Sequence, residues 1–142
     1  MKVILGRTKS GKTTKLVESL NELINSGQKV LILSNDDSFE GYVCRGLVVN
    51  TNVRYEYKNT FGDVKSIQNY LEFMIDNEPT YFSAIDCIAI DYVSHTEEEQ
   101  LFYLSKCFDQ QFIVVLQANK NLNSADDEQP IGEPVIYDID IF

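Results

Sequence analysis

Nine consecutive residues near the start of the chain, Gly6-Arg7-Thr8-Lys9-Ser10-Gly11-Lys12-Thr13-Thr14, combine types that together suit the binding of phosphate. Gly6 and Gly11 lack side chains, so a backbone built on them can turn tightly and aim its N–H groups at phosphate oxygens. Lys12 can reach β- and γ-phosphates, the Thr13 hydroxyl can sit on Mg²⁺, and a helix starting here adds the positive end of its dipole. This G-x-x-x-x-G-K-T spacing is that of a Walker A phosphate loop, and Gly6 through Thr14 are the expected cofactor contacts. The expected cofactor is ATP with Mg²⁺. A turn that merely joined a strand to a helix would need neither Lys12 nor Thr13.

Three further positions carry candidate chemistry. The apolar run Ile85-Asp86-Cys87-Ile88-Ala89-Ile90 ends in Asp91, an acid at a strand tip that would hold Mg²⁺ through water beside Thr13. Lys29-Val30-Leu31-Ile32-Leu33-Ser34 runs into Asn35-Asp36-Asp37, and Phe112-Ile113-Val114-Val115-Leu116 ends in Gln117. Acidic and amide side chains at the carboxyl ends of central strands stand where α/β sheets keep functional groups. His95 reads as a loop residue near a helix cap, and Glu97, Glu98 and Glu99 as charges at a helix start.

The intervening residues must position these groups. Val3-Ile4-Leu5 is a first strand, and Leu16, Leu20, Leu23 and Ile24 recur at helical spacing from Lys12 to Ser26, with Gly27 as the stop. Ser38 is expected to cap a short helix over Phe39 to Leu47. From Val49 to Tyr57 alternation predicts a strand, with Asn50, Asn52, Arg54 and Glu56 on a wet face. Asp63 is expected to cap a helix burying Val64, Ile67, Leu71, Met74 and Ile75, and Pro79 to end it. Thr96 to Glu99 forms a capping box before a helix with Leu101, Leu104 and Phe108 inside. Asn121 to Pro134 is expected to be an acidic loop, and Val135 to Phe142 a final strand that turns Val135, Tyr137, Ile139 and Ile141 to one face.

Alternating strands and helices predict an α/β fold: a three-layer P-loop NTPase whose mainly parallel central sheet is flanked by helices. At 142 residues and 44% hydrophobic content the chain suits a single domain spanning 1–142. Its formal net charge of −10 argues against direct DNA binding and against attraction to an anionic membrane. Cys44, Cys87 and Cys107 lack metal-site or disulfide spacing and read as reduced core thiols. No membrane span or signal peptide is expected, which points to the cytoplasm.

In order and spacing, four stretches resemble the RecA-like ATPase core of the DnaB-type replicative helicases and, more distantly, the KaiC-like ATPases. Gly6 to Thr13 is similar to their phosphate loop and Val30 to Ser38 to their second strand. Ile90-Asp91-Tyr92 resembles their acid-bearing strand, and Leu116-Gln117-Ala118-Asn119-Lys120 their glutamine strand. The resemblance implies that Asp36, or its neighbour Asp37, orients the attacking water, that Gln117 senses the γ-phosphate, and that Lys12 is catalytic. Asp36 stands where the family has a glutamate and is one methylene shorter, which implies slow turnover. The family carries a basic finger beyond its last motif, on the neighbouring subunit, whereas here no Lys or Arg follows Lys120; the partners the resemblance implies are a homo-oligomer or a partner ATPase.

Two other functions fit parts of this pattern. Ser10-Gly11-Lys12-Thr13 and Ile88-Ala89-Ile90-Asp91 also suit a nucleoside kinase of the thymidine-kinase type, although Tyr92 replaces the glutamate expected after Asp91 and a zinc-bearing lid is missing. The acidic composition and missing finger suit a non-enzymatic, nucleotide-dependent module that docks on a helicase or recombinase.

Overall fold

A computed structural model describes residues 1–7, 10–35, 38–94, 97–117 and 133–139. Its strands are β1 (Lys2–Gly6), β2 (Val30–Ser34), β3 (Val53–Tyr57), β4 (Cys87–Ser94), β5 (Gln111–Gln117) and β6 (Val135–Asp138). The helices are α1 (Lys12–Asn25), α2 (Phe39–Cys44), α3 (Val64–Asn77), α4 (Pro79–Ala84) and α5 (Glu98–Lys106). The six strands form one sheet in the order β3-β2-β4-β5-β1-β6, parallel except for β6, which runs antiparallel to β1. The chain is therefore an α/β protein with a mostly parallel sheet flanked by helices. Among the described residues no helix is long and apolar enough to cross a membrane.

Strands buried on both faces need apolar side chains at every position, and β2 and the central run of β5 are buried throughout. Strand alternation sends those side chains into two cores. Val3, Leu31, Leu33, Ile88, Ile90, Val114 and Leu116 pack with residues of α3, α4 and α5. Ile4, Val30, Ile32, Cys87, Ala89, Ile113 and Val115 pack with α1 and α2. Hence Asp91, two residues beyond Ala89, faces the α1/α2 layer. The register of β4 against β5 shifts between Asp91 and Val93, so Val93 returns to the opposite core.

Both α1 and α2 end in glycine-dependent caps. Gly27 (φ 90°) and Gly46 (φ 93°) adopt the left-handed conformation, and the residue after each donates back into the last turn, Gln28 to Leu23 and Leu47 to Tyr42. This stops α2 at Cys44, three residues before the expected end. Strand β3 starts at Val53 rather than Val49, because the Asn50 side chain accepts from the Asn52 amide and turns the chain there. On the polar face of β3, Arg54 and Glu56 are 30% and 33% exposed and are paired there. Arg54 makes two 3.0 Å bonds to Glu78, bonds Glu56 at 2.9 Å and lies over the Tyr81 ring, tying the edge strand to the α3–α4 junction.

Other expectations need correction. Asp63 occupies the N-cap position of α3 but its side chain makes no capping bond, since a 3₁₀ turn over Asn59–Gly62 leads into the helix. Pro79 ends α3 and also begins α4, where its missing N–H costs nothing. Ile75 is 39% exposed, so the buried stripe of α3 is Val64, Ile67, Leu71 and Met74. Phe108 lies beyond the end of α5, at the margin of the core. Only Cys87 is a core thiol; Cys44 and Cys107 are exposed. Strand β6 ends at Asp138; within it Val135 and Ile136 are exposed, while Tyr137 and, just past the strand, Ile139 pack against the core. The capping-box residue Thr96, the loop 118–132 and residues 140–142 lie outside the described residues.

The α3 stripe can be tested by truncation. Met74→Ala is expected to lower unfolding stability by about 2–5 kcal/mol and Ile75→Ala by under about 1 kcal/mol, compared by urea denaturation. Equal losses would contradict the observed rotation of the helix.

Candidate functional site

Strand register gathers the chemically distinctive residues at the carboxyl edge of the sheet. Gly6 pairs with Gln117, Gln117 with Ser94, and Ser34 with Asp91. The strand carrying Gln117 lies between the strand carrying Gly6 and the strand carrying Asp91.

The loop after β1 is built around two glycines with different reasons to be there. A Cβ on Gly6 would run into Ser10 Oγ and come to 2.9 Å from Lys12 Cγ, so the closed turn has no room for a side chain. Gly11 has open space around it but sits at φ 92°, a conformation that L side chains rarely adopt. As the N-cap of α1 it offers no side chain to the helix's first N–H groups, and no acidic residue lies in the first turn. An anion can take both the donors and the helix dipole. Lys12 is only 8% exposed and its Nζ donates to the Arg7 carbonyl at 2.6 Å, closing the loop. Ser10 Oγ is buried with no partner among the described residues. Thr14 is exposed on the first turn of α1.

Thr13, next on α1, donates its hydroxyl to Asp91 Oδ2 at 3.3 Å across 78 residues of sequence. Asp91 is 2% exposed. The same carboxylate oxygen accepts a 2.5 Å bond from the Tyr42 phenol of α2, which is fully buried. Burial, followed by the negative charge of Asp91, pushes the Tyr42 phenol far above its ordinary value, so it remains a donor. The Asn35 side chain donates to the Tyr92 carbonyl at 2.9 Å and accepts from the Tyr92 amide at 3.3 Å, bracketing the cis Asp91–Tyr92 peptide. A Cβ on Gly62 would run into the Asn35 amide, so the 3₁₀ turn closes over this junction.

Thr13 and Asp91 present two hard oxygens side by side. This is the share Mg²⁺ takes from a protein when phosphates and water complete its octahedron. Among the described residues no group of three or more His, Cys, Asp or Glu side chains forms a metal cage. Two oxygens at this spacing are of the donor type that suits Mg²⁺ arriving with a phosphate ligand.

The sequence-predicted residues Gly6, Gly11, Lys12, Thr13 and Asp91 are thus drawn together, with Gln117 in register beside Gly6. Arg7 and Ser10 complete the described part of the loop. Thr8, Lys9, Asp36, Asp37 and His95 lie outside the described residues. Asn35 lies at a strand tip that sequence reasoning marked, but Tyr42 was missed. Tyr42 follows Phe39 at helical spacing and so reads as an ordinary inward aromatic; nothing in the pattern marks its hydroxyl. Neither a protein-family model nor a curated protein matches the chain.

Gly11→Ala is expected to lower stability by about 1 kcal/mol through left-handed strain alone, measured as a shifted denaturant midpoint at constant m-value. On the alkaline side, burial pushes Cys87 from 9.0 up to about 12, and Tyr42 also lies above its ordinary 10.0. Both groups bind protons more tightly when folded. Their stabilisation is complete below pH 9 and pH 10 respectively, and is lost as pH rises from 9 to about 12 for Cys87 and from 10 upward for Tyr42. Each adds a slope of up to about 1.4 kcal/mol per pH unit in its window. The thermal midpoint should fall steadily above pH 10, and less steeply in Tyr42→Phe; a flat profile would contradict these burials.

Proposed function

We propose that this chain is a P-loop nucleoside triphosphatase with a RecA-like core, which binds ATP with Mg²⁺ through Gly6 to Thr14 and hydrolyses it slowly. The observation that carries this reading is the hydrogen bond between Thr13 and Asp91. A hydroxyl directly after the loop lysine, held against a buried strand-tip acid, is the pairing that Mg²⁺-dependent phosphate chemistry requires. The position of the glutamine strand between the loop strand and the acid strand supports it further, since Gln117 then flanks the space above the loop.

In this reading Lys12 leaves the Arg7 carbonyl to neutralise β- and γ-phosphate oxygens, while the loop amides and the α1 N-terminus hold the rest of the charge. Mg²⁺, when bound, supplies charge neutralisation at the phosphates, with Thr13 and Asp91 holding it. Asp36, or Asp37, orients the attacking water, and Gln117 reports the γ-phosphate. The DnaB-like resemblance suggests a role accessory to DNA replication or recombination. A second reading, a nucleotide-gated interaction module, is favoured by one feature: the acidic balance of the chain, with 22 acidic against 12 basic residues, suits a protein partner better than a nucleic acid.

Phosphate release from ATP·Mg²⁺ separates the two, measured for wild type, Lys12→Ala and Asp36→Asn at several protein concentrations. The ATPase reading expects slow turnover that both substitutions abolish and that rises with protein concentration. Lys12-dependent binding without turnover would transfer the assignment to the interaction module. Absence of nucleotide binding would refute both.

A further inference from the structure

We propose that Tyr42 is a positioning residue for the metal acid: it fixes the Asp91 carboxylate through its phenol and so sets the Mg²⁺ requirement of nucleotide binding. The inference rests on the nucleotide reading above and adds to it a residue that neither the loop motif nor the strand-tip acid reveals. Asp91 Oδ2 is bracketed by two hydroxyls, Thr13 from α1 at 3.3 Å and Tyr42 from α2 at 2.5 Å. A carboxylate gripped on one oxygen from two helices cannot swing about its side-chain torsions. Its remaining lone pairs are aimed by that grip.

The phenol is itself held from several sides. Ser34, the strand residue in register with Asp91, is fully buried at the neighbouring strand tip. The Tyr42 ring packs against Tyr55 of β3 at 5.5 Å between centroids. Its backbone carbonyl receives the Leu47 amide that terminates α2. Just beyond, Asn21 of α1 donates to the Gly46 carbonyl at 3.0 Å and accepts from the Val48 amide at 2.8 Å. Helices α1 and α2 are thereby clamped together at a second point, which fixes the Tyr42 hydroxyl relative to Thr13. An ordinary core tyrosine needs only an acceptor for its hydroxyl. This one shares the acceptor oxygen with the hydroxyl assigned to Mg²⁺.

Groups that orient a metal's ligands typically change metal affinity 10- to 100-fold when removed. Tyr42→Phe keeps the ring and removes the donor. Nucleotide binding titrated with Mg²⁺ should then need about tenfold more Mg²⁺ to reach half its maximal value. Nucleotide affinity measured in EDTA should stay at the wild-type value, because the loop and Lys12 are untouched. In an Asp91→Asn background the Tyr42→Phe effect on the Mg²⁺ requirement should vanish.

A Tyr42→Phe protein with the wild-type Mg²⁺ requirement would overturn the inference alone, leaving the nucleotide reading intact. So would a Tyr42→Phe effect that persists undiminished beside Asp91→Asn. A wild-type chain that binds no nucleotide overturns both. Should Tyr42→Phe fail to fold, recovery in the Tyr42→Phe/Asp91→Asn double variant supports the pairing, because the amide removes the buried charge; continued failure makes Tyr42 a packing residue only.

Discussion

A carboxylate at 2% exposure must be met by donors or it destabilises the fold, and in this chain the two donors seen at Asp91 Oδ2 come from different helices. Thr13 reaches it from α1 and Tyr42 from α2, so the two helices of one layer converge on a single atom at the tip of β4. The requirement is met because strand alternation turns Asp91 toward that layer. The register shift just after it then returns Val93 to the opposite core. One residue more or less in β4 before Asp91 would have pointed the acid at α3 and α5. The site is therefore a consequence of sheet parity before it is a consequence of any loop.

That parity explains how much was legible. The continuous apolar runs Val30 to Leu33, Cys87 to Ile90 and Phe112 to Leu116 reflect burial on both faces of a strand, so these strands and the polar residues at their tips could be read directly. The turn after β1 was legible because its glycine spacing answers steric demands, such as the lack of space for a Cβ at Gly6. What escaped reading depended on partners distant in sequence. Arg54 and Glu56 look like a solvated face until Glu78 is seen to meet Arg54 from the end of α3. Ile75 belongs to the apolar pattern of α3, yet it falls at the rim of the packed stripe. Pro79 could be read as a stop, but the new helix it starts has too few residues to show a period.

Tyr42 illustrates the same limit within the site. Its type and position announce a core aromatic, and its hydroxyl gains meaning only once α2 is folded against β4. The caps at Gly27 and Gly46 hold α1 and α2 to lengths that let Asn21 join them. Local turn chemistry thus fixes the spacing of two hydroxyls that converge on one acid. The acidic balance of the chain fits this picture without adding to it: Lys12 and the α1 N-terminus bring local positive charge to a chain of net charge −10.

The most direct test of the account is a crystal structure of the chain with Mg²⁺ and a non-hydrolysable nucleoside triphosphate. The account predicts phosphate oxygens within the Gly6–Thr13 loop, with Lys12 moved from the Arg7 carbonyl onto them and Mg²⁺ lying at Thr13 and Asp91. A nucleotide seated elsewhere, or phosphates in the loop with Lys12 still on Arg7 and no metal at Asp91, would contradict it.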